Sequence, residues 1–198
     1  MSGQIAGQFV VMGVSGCGKS TVAEMLAAKT SGLFLDADDF HPPENKAKMA
    51  GGIPLTDEDR WPWLDALNRE LKTQAETGRA IFLACSALRQ VYRDRLSAGL
   101  PNLRFIYLKG SKELILSRIQ SREDHFMPPA LLESQFAILE EPEDAIVADI
   151  EDSIPVLVDK LATRIEDRRR SIPADSEDAV RRENSPTIYE LPERPPKT

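Results

Sequence analysis

The chain has 198 residues, 41% of them apolar, with 32 acidic against 25 basic side chains and a net charge of −7. That length suits one domain with its own core, and the acidic balance excludes a general nucleic-acid binder, which would carry a basic excess. No run of about 18 apolar residues is present, so no membrane span is expected. Met1 to Gly7 lacks the basic and apolar stretches of a secretory signal. Cys17 and Cys85 make no disulfide framework and are expected as shielded, reduced thiols, which predicts a cytoplasmic setting.

In chain order, Phe9-Val10-Val11-Met12 reads as a buried strand, and Thr21 to Ala28 reads as a helix. Between them stands Gly13-Val14-Ser15-Gly16-Cys17-Gly18-Lys19-Ser20. Strand, glycine-rich turn and helix form the context in which G-x-x-x-x-G-K-[ST] binds the phosphates of a nucleoside triphosphate. Glycines let successive N–H groups converge on one anion, and the helix N-terminus adds unpaired N–H groups and partial positive charge. Gly13, Val14, Ser15, Gly16, Cys17, Gly18, Lys19, Ser20 and Thr21 are therefore the nucleotide-binding candidates. Lys19 can reach the outer phosphates, and Ser20 can offer its hydroxyl to Mg²⁺.

Leu33-Phe34-Leu35-Asp36 reads as a second strand, with Gly32 closing the helix before it. Asp36, Asp38, Asp39 and His41 crowd its end, where ligands sit in open α/β sheets. Residues 44–51 read as a short helix carrying Lys46 and Lys48. Thr56 caps a helix start, and Asp59 completes a capping box. Pro62 is expected to open the next helical stretch, whose Leu64, Leu67 and Leu71 share a face up to about Thr77. Ala80 to Cys85 lacks alternation, as a strand buried on both faces does. After Ser86-Ala87-Leu88-Arg89 comes a helix with Val91, Tyr92 and Leu96 expected on one side. Leu103 to Leu108 is another strand, and Ser111 caps a helix from Lys112 to about Arg122. Pro129 opens a helix through Leu139, Ala145 to Ile150 is a last strand, and Val156, Leu157, Leu161 and Ile165 mark a final helix.

This alternation predicts an α/β fold: a three-layer sandwich with a mostly parallel five-stranded sheet and helices on both faces. Arg118 and Arg122 lie four residues apart on one helix face. They lead into a polar segment, so residues 118–129 read as a lid that closes over the nucleotide and excludes water. The folded domain is expected to span 1–167, and the charged, proline-rich stretch 168–198 reads as a flexible tail.

Four further blocks carry a resemblance. They are Asp36-Ala37-Asp38-Asp39-Phe40-His41-Pro42 with Asn45-Lys46, and Gly52-Ile53-Pro54-Leu55-Thr56-Asp57 with Asp59-Arg60 and Pro62-Trp63-Leu64. Then come Cys85-Ser86-Ala87-Leu88 with Tyr92-Arg93-Asp94, and His125-Phe126-Met127-Pro128 with Ser134-Gln135-Phe136. With the phosphate loop they resemble the gluconokinases, small P-loop kinases related in fold to shikimate and adenylate kinases. The resemblance implies ATP-dependent phosphorylation of D-gluconate on its terminal hydroxyl, with ATP and Mg²⁺ as cofactors and a homodimer as assembly. It implies Lys19, Asp38, Arg118 and Arg122 as catalytic residues, with Asp38 accepting or orienting the hydroxyl proton and Asp36 joining Ser20 at the metal. Lys46, Arg60, Arg89, His41 and Gln135, with Asp38, are the candidates for holding the sugar acid. Arg89 stands where the family pattern has lysine, and the stretch after about Arg168 has no counterpart in it. Other readings are a kinase of shikimate or a nucleoside monophosphate, or a nucleotide-binding module without catalysis. A GTPase is disfavoured, because Asn45-Lys46-Ala47-Lys48 puts lysine where the guanine-reading aspartate belongs.

Overall fold

The computed structural model describes residues 7–120 and 129–170, and its sheet is built outward from β1 (Gly7–Met12). Phe9 and Val11 pack into one core cluster and Val10 and Met12 into another, on opposite faces of the strand. A strand with no solvent face needs partners on both edges and helices above and below. β3 (Ala80–Ala84) pairs along one edge and β4 (Leu103–Lys109) along the other. β2 (Leu33–Asp36) lies outside β3, and β5 (Ala145–Asp149) lies outside β4. The order is β2-β3-β1-β4-β5, and every pairing is parallel. The mostly parallel five-stranded sheet of the sequence reading is wholly parallel.

On one face, α1 (Lys19–Thr30), α5 (Lys112–Gln120) and α7 (Ile154–Arg170) cover Phe9, Val11, Phe82 and Ile106. Leu132 of α6 (Pro129–Ile138) joins the same cluster. On the other face, α3 (Asp57–Ala75) and α4 (Gln90–Ser97) lay Trp63, Leu64, Leu67, Leu71, Tyr92 and Leu96 over Val10, Met12, Ile81 and Leu83. Burial of each such leucine contributes about 1.5–3 kcal/mol. The helix α2 (Pro43–Ala50) sits between β2 and α3 in the chain.

Three local expectations are corrected. The left-handed residue closing α1 is Ser31, with φ 53, not Gly32. Gly32 is required for another reason, since a Cβ there would lie 2.7 Å from the Ala80 carbonyl oxygen. Pro62 lies inside α3 instead of opening a new helix. The Thr56–Asp59 capping box has already started the helix, and a proline in its second turn removes only one backbone bond. Val91 faces solvent at 43% exposure, and Arg93 is buried in its place. Its guanidinium donates to the carbonyls of Ala87 and Leu88 and to Gln90, so the charge is satisfied without a packed aliphatic neighbour. Residues 121–128, the centre of the expected lid, and 171–198, most of the expected tail, lie outside the described residues.

Candidate active site

The site lies at the C-terminal edge of the sheet, where loops leave adjacent parallel strands. β1 runs into the phosphate cradle, and Gly18 caps α1 in the left-handed region with φ 99. Gly16, with φ 83, lies against Ile115 and Ile119, and a Cβ there would come within 2.7 Å of Ile119. No other residue type fits that turn. Lys19 Nζ donates to the Val14 carbonyl at 3.1 Å, so the ammonium sits over the loop it serves. Gly13 donates its N–H to the Ser86 carbonyl at 3.3 Å, which ties the loop after β3 to the cradle.

β2 delivers the carboxylates. Ser20 Oγ donates to Asp36 Oδ2 at 2.8 Å, and Asp36 Oδ1 accepts the Asp38 N–H at 3.0 Å, capping a 3-10 turn over Ala37–Phe40. Both oxygens of Asp36 are thereby oriented, while the Asp38 side chain is 87% exposed. Ser20 and Asp36 bring a hydroxyl and a carboxylate together. Such hard oxygens suit Mg²⁺, which binds through one or two protein ligands plus substrate phosphates. Among the described residues no cluster of three or more His, Cys, Asp and Glu side chains could hold a metal by itself.

His41 is stacked on Trp63, with ring centroids 4.1 Å apart, and its side chain is 5% exposed. Trp63 is itself pinned by its indole N–H to the Ala37 carbonyl at 2.8 Å. His41 Nε2 stands 3.9 Å from Asp38, and Nδ1 has no hydrogen-bond partner among the described residues. Burial pushes the imidazole pKa below its ordinary value, against the pull of Asp38. A lowered folded-state value means that stability is full above the unfolded pKa of about 6.5 and is lost as pH falls through the folded one. His41→Phe, which preserves the ring stack, is therefore expected to flatten the fall of melting temperature between about pH 7 and 5. Unchanged slopes in the two proteins would remove His41 from that transition.

The second wall comes from α3 and α4. Asp57 Oδ2 accepts from Arg89 at 2.6 Å, and Oδ1 accepts the Tyr92 hydroxyl at 2.5 Å. Arg60 lies 3.5 Å from the same carboxylate and donates to the Tyr92 hydroxyl at 3.2 Å. Both guanidiniums also lie over the Tyr92 ring, at 5.4 and 5.5 Å from its centroid. Arg60 and Arg89 keep 22% and 35% of their side chains exposed, so the paired cations still reach solvent. The Tyr92 hydrogen bond, with Arg89 and Arg60, holds the Asp57 carboxyl below the usual carboxylate range. Lys48 clamps Asp59 at 2.6 Å, and Lys46 Nζ donates to the Asp39 carbonyl at 3.4 Å.

The remaining candidates divide. Arg118 donates to the Ile150 carbonyl, at the end of β5, while Arg122 lies outside the described residues. Gln135 is not beside Arg60 and Arg89; its Oε1 accepts the Ser15 N–H at 2.7 Å, on the cradle itself. Cys17 and Cys85 are buried; burial raises the Cys17 thiol and pushes Cys85 up to about 12, so neither is a thiolate at neutral pH. Reading for cations passed over Asp57, Tyr92 and Glu140, the last lying 3.8 Å from Arg89 and accepting the Gln90 N–H. The signal available was the clustering of Asp57 and Tyr92 within the same motif blocks as the arginines.

A glycine cradle at the end of the central strand, one aspartate at the end of β2 with a second in the turn that follows, and a basic wall opposite define a P-loop kinase. A family model described as an AAA domain matches residues 9–142. The thermosensitive gluconokinase of Escherichia coli (strain K12) is 50% identical over 138 residues, covering 68% of this chain and 72% of that protein. The thermoresistant gluconokinase of the same strain is 46% identical over 154 residues, 76% of this chain and 88% of that one. Among solved structures, a gluconokinase from Sinorhizobium meliloti 1021 matches with a TM-score of 0.75 at 40% identity, over 83% of this chain and 94% of its own. The chain belongs to the gluconokinase family of P-loop kinases. The Mycobacterium tuberculosis APS kinase CysC, at 16% identity and a TM-score of 0.61, shares the fold alone.

Proposed function

We propose that this chain transfers the γ-phosphoryl group of ATP to the terminal hydroxyl of D-gluconate, giving 6-phospho-D-gluconate and ADP. The observation that carries the reading is one continuous wall around the cleft. It joins the phosphate cradle through Ser20 and Asp36 to Asp38, and through Ala37 and Trp63 to the helix that holds Arg60. Transfer of a phosphoryl group needs in-line positioning and charge neutralisation more than covalent help. The cradle N–H groups and Lys19 hold the phosphates. Asp38 orients the acceptor hydroxyl and takes its proton. Arg60 and Arg89, with Lys46 and His41, hold the carboxylate and hydroxyls of the sugar acid. Mg²⁺ bound by Ser20 and Asp36 would neutralise charge on the β and γ phosphates. A homodimer and a cytoplasmic setting belong to the same proposal.

The test is ADP release across a panel of sugar acids, shikimate and nucleoside monophosphates. Gluconate is expected to be the fastest acceptor and the monophosphates inert. Faster turnover of shikimate or of a monophosphate would replace the substrate half of the proposal.

Arg118 and Arg122 are proposed as lid cations that meet the transferring group. Arg118→Ala and Arg122→Ala are each expected to lower kcat at least about tenfold, close to 1.4 kcal/mol of barrier. Removing the Arg118 bond to the Ile150 carbonyl is expected to lower the melting temperature only modestly, one net hydrogen bond contributing about 0.5–1.5 kcal/mol. Full turnover in both variants would remove both arginines from the chemistry.

A further inference from the structure

The contact between Gln135 and Ser15 joins residues 120 positions apart, and it uses an amide of the phosphate cradle. Nothing in ordinary helix packing requires it. α6 is already anchored by Leu132 in the core, by Phe136 and Leu139 against it, and by the Lys112–Glu133 pair. Two residues past its C-terminus the Glu140 N–H donates to the Leu88 carbonyl at 2.9 Å, next to Arg89. Residues 135–140 thus link the phosphate cradle to the loop that carries Arg89.

The amide concerned belongs to the outer part of the cradle. The Val14–Ser15 peptide unit accepts Lys19 Nζ at its carbonyl and donates to Gln135 at its N–H. Lys19 is the group that reaches the β and γ phosphates. The amides from Gly18 onward, at the α1 N-terminus, form a separate anion-binding end of the loop. A neutral amide oxygen at 2.7 Å is the geometry a phosphate oxygen would take on the same donor. With Gln135 in place, that N–H is not available to a third phosphate.

We propose that Gln135 discriminates nucleoside triphosphate from diphosphate. Its side-chain carbonyl occupies the Ser15 amide and is displaced by an oxygen of the γ-phosphate, whereas ADP, which ends at the β-phosphate, leaves the contact intact. ATP binding therefore releases α6 from the cradle, and ADP binding does not. The proposal rests only on the nucleotide half of the proposed function and is independent of the acceptor.

The experiment is calorimetric titration of the full chain, without acceptor, with ADP and with a non-hydrolysable ATP analogue. Gln135→Leu keeps helix propensity and volume but removes the competing oxygen. It is expected to bind the analogue about three- to tenfold tighter, the worth of one net hydrogen bond, with ADP affinity unchanged. Gln135→Glu keeps an acceptor on the amide and adds negative charge beside the γ-phosphate. It is expected to bind the analogue at least about tenfold more weakly, with a smaller effect on ADP. Gln135→Met repeats the first arm should the leucine variant fold poorly. Equal changes for both nucleotides would show a merely structural contact. Weaker analogue binding by Gln135→Leu would make Gln135 a ligand of the nucleotide instead of its competitor. Either result overturns the proposal, and neither bears on whether gluconate is the acceptor.

Discussion

Lys19→Ala is expected to lower kcat by about three orders of magnitude or more, because fixed charge on the transferring phosphoryl group is the main catalytic contribution in this chemistry. Among the described residues the side chain donates to the Val14 carbonyl, and it lies outside the buried core. Its removal therefore costs the fold little while leaving the cradle without its ammonium. Ser20 and Asp36 keep their contact with each other. Lys19→Arg is expected to be nearly as slow, since a planar fork does not replace a compact point charge on a short reach. The check is kcat at saturating ATP and gluconate beside a thermal melt of each variant. Near-normal turnover with an unchanged melt would remove the cradle from the chemistry.

Asp38→Asn is expected to lower kcat about 10²- to 10³-fold, within the range for a positioned proton acceptor. The substitution is close to isosteric. It leaves the 3-10 turn intact, because the turn is capped by Asp36 accepting the Asp38 backbone N–H. The carboxylate is solvent-facing, so the variant is expected to melt with the wild type. ATP binding is expected to be unaffected, since the cradle is made by β1 and α1. A fall of less than about threefold in kcat would assign the hydroxyl proton to water, and a matching rise in KM for gluconate would make Asp38 a binding group only.

The phosphate cradle was legible because its parts are contiguous in sequence. Gly13, Gly16 and Gly18 mark the turn within eight residues, and Lys19 and Ser20 open the helix that follows. The Thr56–Asp59 capping box and the doubly buried β3 were legible for the same reason, being local hydrogen bonding and local hydropathy. The helix faces were less so. Val91 was expected inside and Arg93 was not, because hydropathy alone does not show that the carbonyls of Ala87 and Leu88 face the guanidinium.

Taken by itself, the sequence determined that this chain is an α/β protein with a phosphate-binding loop at a strand end, and which family it resembles. Tertiary structure alone decided how its basic and acidic side chains pair. Asp57 lies between Arg60 and Arg89 only because α3 and α4 pack on the same face of the sheet, bringing residues 32 positions apart to 2.6 Å. Gln135 meets Ser15 only because α6 lies across the cradle. Charge pattern names the ions, but a contact between distant segments depends on the distances set by packed layers. Those distances follow from the core as a whole, not from the residues that touch.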